Sequence, residues 1–376
     1  MRARLFLGVT SFCVTFLSST TIQAAPSLVM HVFEAESTTS PAPIANPDHN
    51  AQIPAKVIPD LPVGQAKQPE TLKVHVYDRR PEKKPIFAYD KADVYFKAGY
   101  RRDDLVWSIA GPGGRPNILS ELTWKDIEIA TLNLGATLQM RNNWFVTGDA
   151  VWGEIVNGEN QDSDYFENNR REEFSRSNNG ADEGNVLDFS VGFGYRYQWL
   201  FNEAGTAGFE LRPKLGVAYH SQDLKIVDGR QTILNSEPVS IRFPGLRSSY
   251  DTSWFGPWVG LESVFFQTGK FSLGLNVEYH YIDYDATAEW NLRSDFAQPE
   301  SFEHEADGYG WVTELRSQWH FTPDLALTLD LQFQKWLADR RGKDTTYLVD
   351  GTELTTKFNE VEWDSYGVSL GLNYVF

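Results

Sequence analysis

The chain has 376 residues, with 51 acidic against 34 basic side chains and a formal net charge of −17. That balance excludes a nucleic-acid binder, which needs a basic face toward phosphate, and a polybasic membrane-surface binder. With 41% hydrophobic and 14% aromatic residues and 29 glycines, the composition is that of a folded protein, not a disordered one.

Residues 1–24 have the form of a secretory signal peptide. Arg2 and Arg4 precede a short apolar run from Leu5 to Leu17, and Ile22-Gln23-Ala24 fits a small-residue cleavage site. The run is too short to cross a bilayer as a helix. The one cysteine, Cys13, lies inside it, so the cleaved chain has no thiol for disulfides, catalysis or metal ligation. Thr10-Ser11-Phe12 ahead of Cys13 does not make a lipoprotein box. No later stretch has the ~20 continuous apolar residues of a transmembrane helix.

Residues 25–91 are punctuated by Pro41, Pro43, Pro47, Pro54, Pro59, Pro62 and Pro69. They read as an extended, mostly disordered periplasmic segment, with weak alternation from Leu72 to Val76. Residues 92–376 form the third part, in which the polarity has a period of two. Leu187, Phe189, Val191, Phe193, Tyr195 and Tyr197 alternate with polar residues or glycine. Phe271, Leu273, Leu275, Val277, Tyr279 and Tyr281 do the same, as do Leu325 to Phe333 and Tyr366 to Phe376.

Alternation also suits a soluble sheet with one wet face. Three features favour a membrane barrel. The strands reach the ~9–11 residues that a tilted spanning strand needs. Aromatic residues gather near strand ends, as interfacial girdles do. Connections alternate between short turns (141–143, 202–205, 267–269, 322–324) and long polar loops (158–185, 226–248, 286–305, 340–358). The expected fold class is all-β: a transmembrane antiparallel up-and-down β-barrel of about ten strands in the cell outer membrane, with Phe376 facing lipid. The expected spans are 92–110, 118–139, 144–157, 186–200, 206–226, 249–266, 270–291, 306–321, 324–340 and 359–376.

The polar face of these strands should line the lumen. It carries Asp188, Glu210, Glu262, Glu278, Glu314 and Asp330 against Arg196, Arg212, Lys214 and Arg316, with His280 and His320. A barrel of this size has little more room than its side chains fill, and an unpaired buried charge is costly. Mixed charges should therefore pair across a closed, polar-packed interior.

The chain resembles the omptins, outer-membrane proteases with a tall ten-stranded barrel. Leu119-Ser120-Glu121-Leu122-Thr123-Trp124 is similar to the family's Ser-x-Leu-x-Trp strand start. Gly158 to Tyr165 resembles its Gly-rich approach to an Asp-x-Asp-aromatic motif, and Gly256-Pro257-Trp258-Val259-Gly260-Leu261 its Pro-aromatic-aliphatic-Gly-Leu strand. The resemblance covers residues 92–376. It implies that an Asp pair and an Asp-His pair face each other across the barrel mouth and hold the water that attacks a peptide carbonyl. Histidine suits that base role because its pKa lies near working pH. Asp162 and Asp164 match the first pair, and residues two apart on a strand point the same way. The second pair falls at Glu289-Trp290-Asn291. Glu289 can replace an acid, but Asn291 cannot act as a base, and His304 is the nearest histidine in sequence. The candidate catalytic set is thus Asp162, Asp164, Glu289 and His304.

Acidic side chains in a solvated outer loop, and a Ca²⁺ site built from Glu159, Asp162, Asp164 and Glu167, are alternatives for the same segment. Arg170-Arg171-Glu172-Glu173 reads as a solvated charge run. A His-Glu-x-x-His helix and a P-loop are both missing from the sequence. No cofactor and no metal centre are expected, and the expected partner is outer-membrane lipid, lipopolysaccharide included. Three functions remain open: a non-catalytic surface barrel for binding, adhesion or structure; an omptin-like endopeptidase with an altered dyad; and a narrow channel.

Overall fold

The computed structural model describes residues 89–267 and 269–376. The expected signal peptide, Cys13, nearly all of the proline-rich segment and Thr268 of one expected turn lie outside the described residues. Among those described, fourteen strands form one antiparallel sheet that closes on itself. They are β1 (Tyr89–Ile109), β2 (Ser120–Met140), β3 (Trp144–Glu167), β4 (Arg171–Gly180), β5 (Gly184–Tyr195), β6 (Tyr197–Leu200) and β7 (Gly208–Leu234). The remainder are β8 (Glu237–Arg242), β9 (Arg247–Gln267), β10 (Phe271–Glu289), β11 (Phe302–His320), β12 (Leu325–Tyr347), β13 (Glu353–Thr356) and β14 (Phe358–Val375).

Ten walls make the ring. β4 and β5 together form one wall between β3 and β7, and β6, β8 and β13 are short additions to β7 and β12. β11 pairs with β12, and β1 pairs with β14 from Asp93↔Val375 to Ile109↔Phe358, so the main sheet closes into a barrel. Closure satisfies the backbone between strands, which lipid requires of any spanning sheet.

Apart from β3 and β4, whose upper inward residues stay polar, the long walls change polarity part-way along, and β10 shows how. From its short-turn end, its outward residues are Leu273, Leu275, Tyr279 and Tyr281, all exposed. Its inward residues there are Ser272, Asn276, Glu278 and His280. Past Tyr281 the outward residues become Asp283, Asp285 and Thr287, and the inward ones become the buried Ile282, Tyr284, Ala286 and Ala288. β14 inverts at the same level: outward Tyr366 to Tyr374 give way to Glu362 and Asp364, and inward Ser369 and Ser365 give way to Trp363 and Val361. The lower half is a barrel in lipid with a wet inside. The upper half is a barrel in water with a dry inside.

This inversion corrects two expectations. The expected loops 158–185, 226–248 and 340–358 are largely strand: β3 runs on to Glu167 and returns as β4, β7 reaches Leu234 before β8, and β12 reaches Tyr347 before β13. A pattern that demands apolar residues on the outside reads these water-facing strands as loops. The interior is likewise polar mainly where the outside is apolar; the exception above is the inward edge of β3, with Asn160, Asp162 and Asp164. Above that level the interior is otherwise an aromatic plug of Trp107, Trp124, Tyr250, Trp254, Tyr284, Phe302, Trp336, Phe358 and Trp363, each 7% exposed or less. Trp336 and Trp363 stack with centroids 5.4 Å apart. Gly310 makes the room for Trp336, since a Cβ there would lie 2.1 Å from its ring.

Below the plug, a cavity of about 280 Å³ opens toward the short-turn end. Lys91, Asp93 and His320 stand at its mouth, and His220, His280 and Gln334 are its uppermost lining residues.

Candidate functional site

Asp162 and Asp164 lie on the upper part of β3. Asp162 is opposite Leu122 on β2 and Ser177 on β4, and Asp164 is opposite Ser120 and Ser175. Directly opposed residues share a face. Leu122 is part of the core, so both carboxylates face inward at the long-loop mouth. A bulge sets this phase. The β2–β3 register shifts on either side of Glu128, where Asp126 takes φ 55°, and the inward set of β3 moves from Gly153 and Ile155 to Gly158, Asn160, Asp162 and Asp164. Gly158 is required there, because a Cβ would meet Ile127 Cδ1 at 2.4 Å and the Ala181 carbonyl at 2.5 Å.

The two carboxylates perturb each other. Burial first, and Asp164 second, push Asp162 well above the usual carboxylate range, against the pull of Arg293 and a hydrogen bond from Ser120. Burial also raises Asp164, against hydrogen bonds from Ser120 and Ser175 and the charge of Arg293. The pair holds a proton more tightly than an isolated aspartate does. The cation that acts on it is thus Arg293, in the segment between β10 and β11. Its guanidinium bonds Asp295 at 2.8 and 2.9 Å and lies 4.1 Å from the centre of the Phe296 ring.

The other two candidates are not brought to this pair. Glu289 ends β10 opposite Ser249, on the alternation that points away from the inward Ala286 and Ala288. Asn291 is a clamp: its Oδ1 accepts from the Arg247 amide at 2.9 Å and from Ser248 Oγ at 3.2 Å, and its Nδ2 donates to the Gly245 carbonyl at 2.8 Å. His304 is 0% exposed, sealed within the plug. Trp107, Phe302 and Phe358 pack on its ring with centroids 4.3–5.0 Å away. Its Nδ1 is 2.9 Å from Tyr250 Oη, which is 2.7 Å from Tyr284 Oη, and its Nε2 lies 3.2 Å from Asp344 Oδ1. Burial holds the His304 imidazole below its usual range, and Asp344 pulls it back upward.

The expected lumen residues lie in the lower half. Lys214 reaches Glu278 at 2.9 Å, Arg212 bridges Glu210 and Glu262, and Arg196 approaches Glu210 at 3.7 Å. Arg316 joins Glu314 at 2.7 Å and Asp330 at 3.3 Å. Asp188 takes Arg101 at 2.5 Å and His220 at 3.1 Å, and His280 meets Glu278 at 3.2 Å. Sequence reasoning missed Lys97, which pairs with Asp330, together with Arg101, His220 and Arg293. Lys97 and Arg101 were legible, since they alternate with the outward Phe96 and Tyr100. Arg293 was not, because nothing in the sequence says where a loop residue points. No cluster of three or more His, Cys, Asp or Glu with metal-site geometry occurs among the described residues.

The family model described as Pom, Protochlamydia outer membrane protein, matches residues 95–376. Among solved structures, the chain is similar to the outer membrane protease OmpT from Escherichia coli at 15% identity and a TM-score of 0.65, covering 77% of this chain and 98% of that one. It also matches OprG from Pseudomonas aeruginosa at 13% identity and a TM-score of 0.29, covering 77% and 97%. Ail from Yersinia pestis matches at 10% identity and 0.26, covering 76% and 99%. No curated protein matches by sequence. At 15% identity the likeness to OmpT shows the fold alone, and that fold is the omptin barrel.

Proposed function

Starting from the fact that the chain belongs to the Pom family of outer-membrane proteins and is a β-barrel of that membrane, we propose that it acts without proteolytic chemistry. Its role is binding, adhesion or structure at its long-loop end, with outer-membrane lipid around its apolar band. One observation carries this reading. The histidine nearest in sequence to the expected base position is walled into an aromatic core, and the cation near the Asp162–Asp164 pair is a guanidinium. Arginine keeps its proton at any working pH and cannot serve as a base.

The plug argues equally against the channel reading, because it closes the barrel above the cavity. Steady single-channel currents from the refolded barrel in planar bilayers would overturn that closure and favour the channel. One observation favours an altered endopeptidase: Asp162 and Asp164 have the raised proton affinity that acid–base carboxylates use. Incubating the refolded full chain with peptides containing paired basic residues, beside Asp162→Ala, separates the two. The expected result is no cleavage above background by either protein. Cleavage by the natural chain that Asp162→Ala abolishes would overturn the proposal.

A further inference from the structure

His220 on β7 and His280 on β10 are the uppermost inward polar residues of the cavity on their two strands. Both are nearly sealed, at 7% and 2% exposure. Each has one nitrogen held by a carboxylate: His220 Nδ1 lies 3.1 Å from Asp188 Oδ1, and His280 Nε2 lies 3.2 Å from Glu278 Oε2. An ionised carboxylate only accepts hydrogen bonds, so these two nitrogens carry the protons. The opposite nitrogens, His220 Nε2 and His280 Nδ1, are then bare lone pairs, and both are buried without a hydrogen-bond partner.

A carboxylate that fixes one imidazole nitrogen and leaves the other as a free donor is the arrangement that supports metal-bound histidine. The two ring centres are 6.2 Å apart. Two in-line metal–imidazole bonds of about 2.0 Å, plus about 1.1 Å from each ring centre to its nitrogen, span about 6 Å. Two nitrogens do not satisfy Zn²⁺, which asks for four ligands, or Ca²⁺, which asks for at least six oxygens. They do satisfy a monovalent d¹⁰ ion, which accepts two ligands in line. The Trp336 ring lies 4.8 Å from His220 and 4.9 Å from His280, and Trp258 lies 6.0 Å from His280, so aromatic rings border the pair above, while the Asp188 and Glu278 carboxylates, shared with Arg101 and Lys214, border it below.

We propose that His220 and His280 form a two-coordinate site for a soft monovalent cation, Cu⁺ or Ag⁺, entered from the cavity at the short-turn end. That end faces the periplasm in barrels of this class. Glu278 and Asp188 are positioning residues that orient the two rings.

Silver ion is the probe, because it does not change oxidation state. The full chain carrying Cys13→Ser, so that its thiol does not compete, is refolded in detergent and titrated with silver nitrate in chloride-free buffer. Bound silver is counted by native mass spectrometry, and tryptophan emission reports filling beside Trp336. The expected result is one tight equivalent that is lost in His220→Phe and in His280→Phe, which keep a ring and remove the nitrogens. Glu278→Gln should weaken it by about 10–100-fold. His320→Phe, at the cavity mouth, should leave it intact. Equal silver uptake with and without the two histidines overturns the site, as does loss of the equivalent in His320→Phe. Should the phenylalanine variants fail to fold, X-ray absorption of the one-silver natural-histidine protein decides. Two imidazole nitrogens at about 2.1 Å support the site, and any other first shell overturns it.

Discussion

The two halves of the barrel solve opposite problems with the same strands. Below the level of Tyr281 and Tyr366, the outside meets lipid and the inside is a network of ion pairs such as Arg101–Asp188, Lys214–Glu278 and Arg316–Asp330. Above it, the outside carries Asp283, Asp285 and Asp364, and the inside is a plug of tryptophan, tyrosine and phenylalanine. Which face of a strand is apolar is thus a property of the solvent it stands in, not of the strand. The boundary between the halves is where His220 and His280 sit, between the charges below and Trp336 above. It is also where a passage through the barrel ends.

The largest effects should come from breaking either interior. Trp363→Ala empties a site that is 0% exposed and stacked on Trp336, and should cost about 3–5 kcal/mol. Arg101→Met leaves Asp188 and Asp103 without their shared cation and should cost a similar ~3–5 kcal/mol. Urea titration in detergent micelles measures both. The comparison predicts different failures, with Trp363→Ala exposing the upper strands to added protease and Arg101→Met destabilising the embedded half. If both variants showed the same cleavage pattern, the halves would not be distinct.

A smaller effect tests the outer faces on a single strand. Leu275→Arg puts a charge into the apolar band of β10 and should cost about 2–4 kcal/mol in lipid. Asp285→Arg, ten residues further along the same outward face, should change stability by less than about 0.5 kcal/mol. Equal costs at the two positions would place both in the same solvent and erase the boundary.

The smallest effect is a pH dependence confined to the upper wall. Burial and the adjacent Asp223 carboxylate push Asp251 up to about 7. The folded chain therefore keeps a proton that the unfolded chain releases. The resulting stabilisation is present below about pH 4 and is lost as pH rises through about 7. Asp251 is exposed, so solvent screens the effect. Asp251→Asn should flatten the unfolding midpoint across that window, and an unchanged slope would show that another group is responsible.

Much of the lower half was legible in the residues. The alternation of Leu273, Leu275, Tyr279 and Tyr281 with Asn276, Glu278 and His280, taken with spanning strand length, aromatic strand ends and alternating short and long connections, points to lipid on one side and polar packing on the other. The upper half was not legible by the same rule, since water-facing strand such as β4 and the end of β12, with polar residues on the outside, read as loop. The candidate site was half legible. Asp162 and Asp164 stand out as a motif, but the bulge at Asp126 that turns them inward leaves no mark that sequence reasoning can use.

What the sequence by itself determined is the barrel: an even run of long alternating strands, rich in interfacial aromatics, closes because lipid leaves no other way to satisfy the backbone. What only the tertiary structure decided is the company each polar group keeps. His304 is close in sequence to the expected base position, yet the ring of Trp107, Phe302 and Phe358 seals it away, while Arg293 comes to act on the aspartates in its place. Such partnerships join strands far apart in the chain, and they are set by register, bulges and closure of the ring, which local residue patterns do not encode.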